Sequence, residues 1–262
     1  MKPLGIIAAL AALPFAIPSA AAASEAFETS FESMHMRGWS VSNYDFNSTT
    51  FATDWRSWQV SIDDGLTLSL DPHPRCPNAY AGASIKRDEP THYGRYEARF
   101  QAARGEGVIT GFFTYTGESY GTRHDEIDIE ILGRDTTQLN IAWFVDGALT
   151  DHRIDLGFDA SEGMHDYAFE WREDRIDWFV DGRRVFTARA EDGPLPAVPG
   201  RVFANVWAAD PSISRWSGEI GHNVQTEARI ERLGYRPLNE APRERWMRLA
   251  HAPVPVMTRI PD

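Results

Sequence analysis

Three acidic residues near the middle of the chain have the spacing of one face of a β-strand. They are Glu126, Asp128 and Glu130, and an isoleucine follows each of them. Because successive side chains of a strand point to opposite faces, this segment predicts one carboxylate face and one apolar face. The apolar face belongs in a core, and the acidic face lines a wet surface or a cleft. A solvated acidic stripe is the alternative, since the chain has 38 Asp and Glu residues.

The spacing of the two glutamates suits acid–base chemistry on a sugar. At ~3.3 Å per residue, the Cα atoms of Glu126 and Glu130 lie about 13 Å apart. If both side chains lean inward, their carboxyl groups come within about 5 to 6 Å, near the ~5 to 5.5 Å of glycosidases that retain configuration. Such a pair needs one ionised carboxylate and one protonated acid, and crowding raises the pKa of at least one of them.

The surrounding sequence resembles the bacterial lichenases of glycoside hydrolase family 16. Matching motifs follow in family order from about residue 27 to 236: YGRYE (93–97), GFFTYTG (111–117), DEIDIEILGRDTT (125–137), LGFDAS (156–161), HDYAFEW (165–171), VDG (180–182) and NVW (205–207). The resemblance implies an all-β, single-domain jelly-roll sandwich with a substrate cleft on its concave sheet. It also implies that Glu126 is the nucleophile, Glu130 the general acid/base and Asp128 the residue that tunes the pair.

The resemblance further assigns a set of substrate contacts. Glycan clefts combine aromatic planes, which stack on sugar rings, with polar groups that bind hydroxyls. The assigned positions are Asn47, Glu97, Arg99, Phe113, Tyr115, His124, Asn205 and Trp207. Glu97 and Arg99 share a strand face, so pairing with each other is an alternative for them. Core packing is the alternative for the aromatic residues, and it is the expectation for Trp39, Trp55, Trp58, Trp171 and Trp178.

Three predicted cleft positions depart from the lichenase pattern. His124 stands where lichenases usually have Trp, Ala142 where they have Asn, and Phe144 where they have Tyr. Each change removes a stacking plane or a hydrogen-bonding group. The sequence therefore predicts a retaining endo-β-glucanase that cleaves β-1,4 bonds in mixed-linkage β-1,3-1,4-glucan only modestly and prefers a related, substituted β-glucan.

The sequence is also compatible with other activities of the same fold. One is trimming of a bacterial exopolysaccharide such as succinoglycan, and another is transglycosylation. A non-catalytic glycan-binding protein is the alternative from a different class, because fold does not fix function. The intact acid triplet counts against that last alternative, since a binding protein does not need both glutamates.

The N-terminal pattern predicts an exported protein, and the acidic composition favours a neutral or weakly charged polysaccharide as its substrate. Residues 1–23 have the pattern of a secretory signal, with Lys2, an apolar run from Leu4 to Ile17 and small residues after it. The formal net charge of −12 argues against nucleic acid and anionic membranes as partners. The single Cys76 excludes an internal disulfide. We expect a secreted monomer, extracellular or periplasmic.

Domain organisation is simple. Residues 24–236 are predicted as one β-sandwich domain, with hairpin turns at Asp63-Asp64-Gly65, Asp146-Gly147 and Asp181-Gly182 and without sustained helical periodicity. Residues 237–262 form a C-terminal tail of unknown role. No cofactor or catalytic metal is expected, because the histidines lack metal-ligand spacing. A structural Ca²⁺ near Glu231, which the resemblance suggests, stays undecided.

Overall fold

The computed structural model describes residues 24–31 and 36–238. The predicted signal segment and almost all of the predicted tail lie outside these residues. The strands are β1 (Phe27–Ser30), β2 (Trp39–Val41), β3 (Thr53–Trp55), β4 (Val60–Ile62), β5 (Leu66–Pro72), β6 (Tyr80–Arg87), β7 (Gly94–Gln101), β8 (Val108–Thr116), β9 (Asp125–Leu132), β10 (Gln138–Val145), β11 (Ala148–Asp155), β12 (His165–Trp171), β13 (Arg175–Val180), β14 (Arg183–Arg189), β15 (Arg201–Ala208) and β16 (Thr226–Arg236). The described helices are α1 (Ser214–Ser217) and 3₁₀ turns at Ser57–Gln59, Glu118–Tyr120 and Pro211–Ile213.

The strands form two packed sheets. The first, called the cleft sheet below, has the order β2-β6-β15-β8-β9-β10-β11. The second, called the back sheet, has the order β14-β13-β12-β7-β16-β5-β4, and β1 pairs with the end of β16. A short pairing of β5 with β6 joins the two sheets at one edge, and β3 pairs with the same end of β6. This arrangement confirms the predicted all-β sandwich.

The core lies between the sheets, and β9 contributes its apolar face to it. Ile127, Ile129 and Ile131 have no exposed surface. They belong to one cluster with back-sheet residues such as Tyr96 and Phe169. Burying a side chain of this size contributes about 1.5 to 3 kcal/mol, so a one-residue slip of β9 would be costly. The packed isoleucines therefore hold the acidic residues on the opposite face of the sheet.

The hairpin turns have the geometry that the sequence predicted. Asp64, Asp146 and Asp181 have φ values of 53°, 52° and 47°, and a glycine with positive φ follows each of them. Two successive residues with positive φ are the mark of a type I′ turn, whose twist matches that of the flanking strands. The turn at Asp146-Gly147 connects β10 to β11 beside the acidic strand.

Most of the predicted core tryptophans are buried, but one prediction was wrong. Trp39, Trp55, Trp171 and Trp178 are at most 6% exposed, whereas Trp58 is 59% exposed. Trp58 lies in a 3₁₀ turn whose buried residue is Gln59, so its side chain points outward near Arg56. Within the described part of the chain, no helix has the length and apolar character needed to cross a membrane.

Trp178 connects the back sheet to the acidic strand. Its side chain is completely buried, and its Nε1 donates a hydrogen bond of 3.1 Å to the backbone carbonyl oxygen of Asp128. A buried acceptor that loses its donor costs the desolvation of that group. This hydrogen bond therefore fixes β9 from the core side at the middle acid.

Trp178→Phe should lower the thermal stability of the protein. The substitution keeps an aromatic ring in the core but leaves the Asp128 carbonyl without this donor, at a cost of about 1 to 3 kcal/mol. We expect a Tm lower by several degrees in thermal unfolding, while Trp58→Phe, at the exposed position, should leave Tm nearly unchanged. Equal Tm values for the Trp178→Phe variant and the wild type would contradict this role.

Candidate active site

Cross-strand register places the three acids in the middle of the cleft sheet. Strand β9 lies between β8 and β10, so each acid has one register partner on either side. The three rows are Tyr115–Glu126–Phe144, Phe113–Asp128–Ala142 and Gly111–Glu130–Asn140. Directly paired residues of adjacent strands point to the same face of the sheet. Aromatic, small and amide side chains therefore share the cleft face with the acids.

Glu126 contacts an imidazole. Nε2 of His124 lies 2.5 Å from Oε2 of Glu126. Tyr115, the partner of Glu126 on β8, is half-buried, and its pKa is raised by burial and then by the negative charge of Glu126. A phenol with a raised pKa stays protonated and neutral beside the carboxylate.

Asp128 is buried between the two glutamates. Its side chain is 4% exposed, and burial raises its pKa well above the usual range, followed by the charges of Glu126 and Glu130. One oxygen, Oδ2, has no hydrogen-bond partner in the described part of the chain. A protonated Asp128 removes one of three negative charges from the face and has a hydroxyl to donate toward Glu126. These properties support the predicted role of Asp128 in tuning the pair.

Glu130 has the properties of a general acid. Burial and the charge of Glu126 raise its pKa to about 8, and a hydrogen bond from Asn140 partly opposes this shift. Nδ2 of Asn140 donates to Oε2 of Glu130 over 3.0 Å. A carboxyl group with a pKa near 8 holds its proton at neutral pH and can deliver it to a leaving oxygen.

A glycine makes room for polar groups beside Glu130. A Cβ atom on Gly111 would lie 2.7 Å from Oδ1 of Asn205, its register partner on β15. The Asn205 side chain therefore occupies the space above Gly111. Oδ1 atoms of Asn205 and Asn140 are both buried and without a hydrogen-bond partner among the described residues. Buried acceptors of this kind suit the hydroxyl groups of a bound sugar.

Two of the assigned substrate contacts lie elsewhere. Glu97 and Arg99 are on β7, in the back sheet, where the alternate residues of the strand face the core. Their side chains point to the outer face of the sandwich, so the predicted contact with substrate in the cleft was wrong. They do not pair with each other: Glu97 pairs with Arg95, and Arg99 pairs with Asp166 and Glu231.

The other assigned residues lie on the cleft sheet or near its end. Phe113 is partly exposed and stacks on Phe203 with 5.1 Å between ring centroids. Trp207 is only 6% exposed, because Phe51 and Trp216 stack on it. Trp207 is therefore less open to a sugar ring than expected. Asn47 is exposed in the loop that carries Phe51 toward Trp207.

The register also brings in residues that the sequence reasoning did not assign. Ser84 and Lys86 of β6 pair with Asn205 and Phe203, and Asp151 and Arg153 of β11 pair with Ala142 and Asn140. These four complete the rows on either side of the acids. Their signal in the sequence was only the two-residue spacing within each segment. That signal becomes usable only when the strand order is known.

A pocket of about 330 Å³ adjoins the acid row at Glu130. Its lining is mostly polar and comes from β9, β10, β11 and the loops before β8 and after β9: Glu106, Leu132, Arg134, Asp135, Gln138, Asn140 and Arg153. Asn140 belongs to this lining and to the contacts of Glu130 at once. The pocket therefore adjoins the acid row on its β10 side, through Asn140.

The described residues offer no clear place for a metal ion. They contain no group of three or more His, Cys, Asp or Glu side chains placed to hold one. Glu231, the residue considered for a structural Ca²⁺, pairs with Arg99 over 2.9 Å. Cys76 is a free thiol.

A protonated Glu130 and an imidazole-contacted Glu126 on one face of a cleft sheet define a retaining-glycosidase type of site. Comparison with known proteins agrees, because residues 47–229 match the family described as "Glycosyl hydrolases family 16". The chain belongs to this family, and it is a glycoside hydrolase of the lichenase type.

Similar proteins support the same class. A "Beta-glucanase" of Brevibacillus brevis is 35% identical over 217 residues, which cover 81% of this chain and 82% of the relative. The structure of a prokaryotic beta-1,3-1,4-glucanase (lichenase) from a mouse hindgut metagenome is 33% identical, with a TM-score of 0.77, and covers 81% of this chain and 99% of that one. The beta-glucanase of Bacillus licheniformis is 30% identical, with a TM-score of 0.75, and covers 81% and 98%.

Asn140→Leu should move the alkaline limb of the pH–activity profile to higher pH. The Asn140 hydrogen bond favours the ionised form of Glu130, so its loss should raise the Glu130 pKa above about 8. The limb is measured as kcat/KM against pH, which reports the free enzyme. Gln138→Leu is the matched control, because Gln138 lies two residues away on the same face and bonds to Asp155 instead. A limb that stays in place or moves to lower pH would contradict this assignment.

Proposed function

We propose that this protein is an endo-β-glucanase that hydrolyses β-1,4 bonds in mixed-linkage β-1,3-1,4-glucan or a related β-glucan with retention of configuration. The observation that carries the proposal is the difference between the two glutamates on β9. Glu130 keeps its proton at neutral pH, while Glu126 lies against Nε2 of His124. This asymmetry supports Glu130 as the acid and Glu126 as the nucleophile of a double displacement.

The reaction follows from these positions. In the first half, Glu126 attacks the anomeric carbon, the glycosidic bond breaks, and the Glu130 proton moves to the leaving oxygen. In the second half, Glu130 takes a proton from water as the water oxygen displaces Glu126. The amide of Asn140 holds the Glu130 carboxyl group in both halves. Asp128, neutral between the glutamates, limits charge repulsion as Glu130 ionises.

The cleft supports a substrate preference that differs from that of a typical lichenase. Ala142 pairs with Asp128 and Phe144 with Glu126, so both departures from the lichenase pattern lie on the catalytic face. His124 adds a third departure in contact with Glu126. Fewer polar partners near the acids weaken the grip on unsubstituted glucose units, because an unpaired hydroxyl reduces binding.

A second candidate substrate is an acidic bacterial exopolysaccharide such as succinoglycan. Two cations on the cleft face favour it: Arg201 and Lys86 lie over the ring of Tyr120, with 4.1 and 5.6 Å to its centroid. Neither forms an ion pair with a carboxylate within the described part of the chain. A carboxylate on a sugar substituent is a natural partner for them. Export directed by the predicted signal segment would bring the enzyme to either polymer.

Glu126→Gln and Glu130→Gln should each lower kcat by several orders of magnitude while polymer binding persists. Neither half of the double displacement can be completed without its carboxylate. Azide should partly restore activity to Glu126→Ala and produce an inverted α-glycosyl azide. Near wild-type turnover of β-glucan by either Gln variant would refute the assignment, whereas Asp128→Asn should be milder and shift the pH profile.

Wild-type activity on lichenan should be measurable but modest. We expect a higher kcat/KM on another, substituted β-glucan in a panel that includes succinoglycan, with products sized after digestion. The double substitution of His124→Trp and Ala142→Asn should shift preference toward lichenan by restoring a stacking plane and a hydrogen-bonding group. If wild type already cleaves lichenan at least as efficiently as every other glucan in the panel, the departures do not control preference.

A further inference from the structure

A histidine beside the nucleophile has a position too well defined for a simple surface residue. Nε2 of His124 lies 2.5 Å from Oε2 of Glu126, and the two side chains are 33% and 16% exposed. This distance is shorter than the ~2.7 to 2.9 Å usual for a charge-assisted N–H···O hydrogen bond, so the ring nitrogen and the carboxyl oxygen are in direct contact. His124 immediately precedes β9, so the contact spans two residues at the beginning of the acidic strand.

The imidazole ring of His124 contacts residues of both strands that flank Glu126. It stacks on Phe144 with 4.6 Å between centroids and an interplanar angle of 19°. Tyr115 meets it edge-on at 5.3 Å. These two residues are the register partners of Glu126 on β10 and β8. The carbonyl oxygen of His124 also accepts a hydrogen bond from the Gly147 amide in the β10–β11 turn. The ring orientation is therefore fixed by the strands that flank the carboxylate.

The direction of the hydrogen bond follows from the state of the nucleophile. Glu126 attacks as a carboxylate and has no proton to give, so His124 must donate from Nε2. Both the imidazolium ion and the neutral tautomer with a proton on Nε2 can do this. The nearby charged groups do not compete for the ring, because Arg123 pairs with Asp125. His124 thus binds Oε2 and leaves the other carboxylate oxygen for attack.

We propose that His124 is a positioning residue whose Nε2 hydrogen bond holds Glu126 and stabilises its carboxylate as it departs in the second half of the reaction. The proposal rests on the proposed function, in which Glu126 is the nucleophile. Lichenases usually have a stacking Trp at the position of His124. Without this role, His124 would be only a weaker sugar contact than that Trp.

The two halves of the reaction respond differently to this donor. During the first half, a C–O bond forms between Glu126 and the anomeric carbon, and the carboxylate loses its charge. During the second half, the water oxygen bonds to the anomeric carbon, Glu130 takes the proton of the water, and the ester C–O bond to Glu126 breaks. The electron pair of that bond returns to Glu126, beside His124. The hydrogen bond from His124 strengthens as negative charge develops on Glu126. It therefore lowers the barrier of the second half of the reaction.

Paired substitutions separate the donor from the ring. His124→Phe keeps an aromatic ring against Phe144 but removes the donor, and His124→Gln keeps an N–H donor but removes the ring. His152→Phe is the matched control, because His152 stacks on Trp143 and contacts Phe186 in a tilted arrangement, without being placed at the acids. The substrate is a nitrophenyl glycoside of a β-glucan oligosaccharide, whose leaving group makes the first half fast. Thermal unfolding verifies that each variant is folded.

The expected result is accumulation of the glycosyl-enzyme in His124→Phe. Its kcat should fall on the order of tenfold or more, as for loss of a hydrogen bond to a charged group. KM should fall with kcat, and rapid mixing should show a burst of nitrophenolate approaching one per enzyme. His124→Gln should recover most of kcat and lose the burst, and His152→Phe should behave as wild type.

Other outcomes would overturn the proposal. The first two are a wild-type kcat in His124→Phe and a raised KM with unchanged kcat in that variant. The others are equal losses of kcat and kcat/KM in His124→Phe without a burst, and a kcat of His124→Gln no higher than that of His124→Phe. A failure of the proposed function looks different, since wild type would then cleave no β-glucan and Glu126→Gln would change nothing. An active wild type that depends on Glu126 but not on His124 contradicts only the present inference.

Discussion

The site depends on the two faces of one strand. The isoleucines of β9 are completely buried against the back sheet, and Trp178 holds the strand from below at Asp128. Because side chains alternate, the same packing that fixes the isoleucines fixes the acids on the other face. Catalytic geometry here is thus maintained by the hydrophobic core rather than by contacts within the cleft alone.

Burial then differentiates three similar carboxyl groups. Asp128 and Glu130 have raised pKa values chiefly because they are desolvated, and the charge of Glu126 adds to both shifts. Glu126, at the end of the row, has His124 and Tyr115 around it instead. A protonated acid at Glu130 and a carboxylate at Glu126 are what a retaining mechanism needs, and a neutral Asp128 lowers the charge between them. The distinction comes from the neighbours of each residue, since the residue types are nearly the same.

The two sides of the cleft that flank the acids differ from each other in residue type. On the β15 and β6 side are aromatic rings and the cations Lys86 and Arg201, and on the β10 and β11 side is a polar pocket that includes Asn140 and Arg153. The acid row therefore has different surroundings on its two sides. Family membership makes the chain a glycoside hydrolase, and the flanking side chains are the groups through which the proposed substrate preference would act.

The sequence by itself determined the fold class, the turn positions and the acidic face of β9. These features depend on local rules: alternation with period two, Asp-Gly pairs at turns, and motifs whose order along the chain resembles a known family. The face of β9 that carries Ile127, Ile129 and Ile131 had to lie against the core. The acids therefore had to lie on the opposite face of the sheet.

Only the tertiary structure decided which distant strands border the acids. Glu97 and Arg99 satisfy the same alternation as a cleft strand, yet β7 lies in the back sheet and their side chains face outward. Ser84, Lys86, Asn140 and Arg153 enter the cleft through strand order and register, which no local pattern encodes. The pKa of Glu130 and the His124–Glu126 contact likewise depend on packing from β8 and β10. Neighbours across a sheet are fixed by long-range pairing, and local sequence carries little information about it.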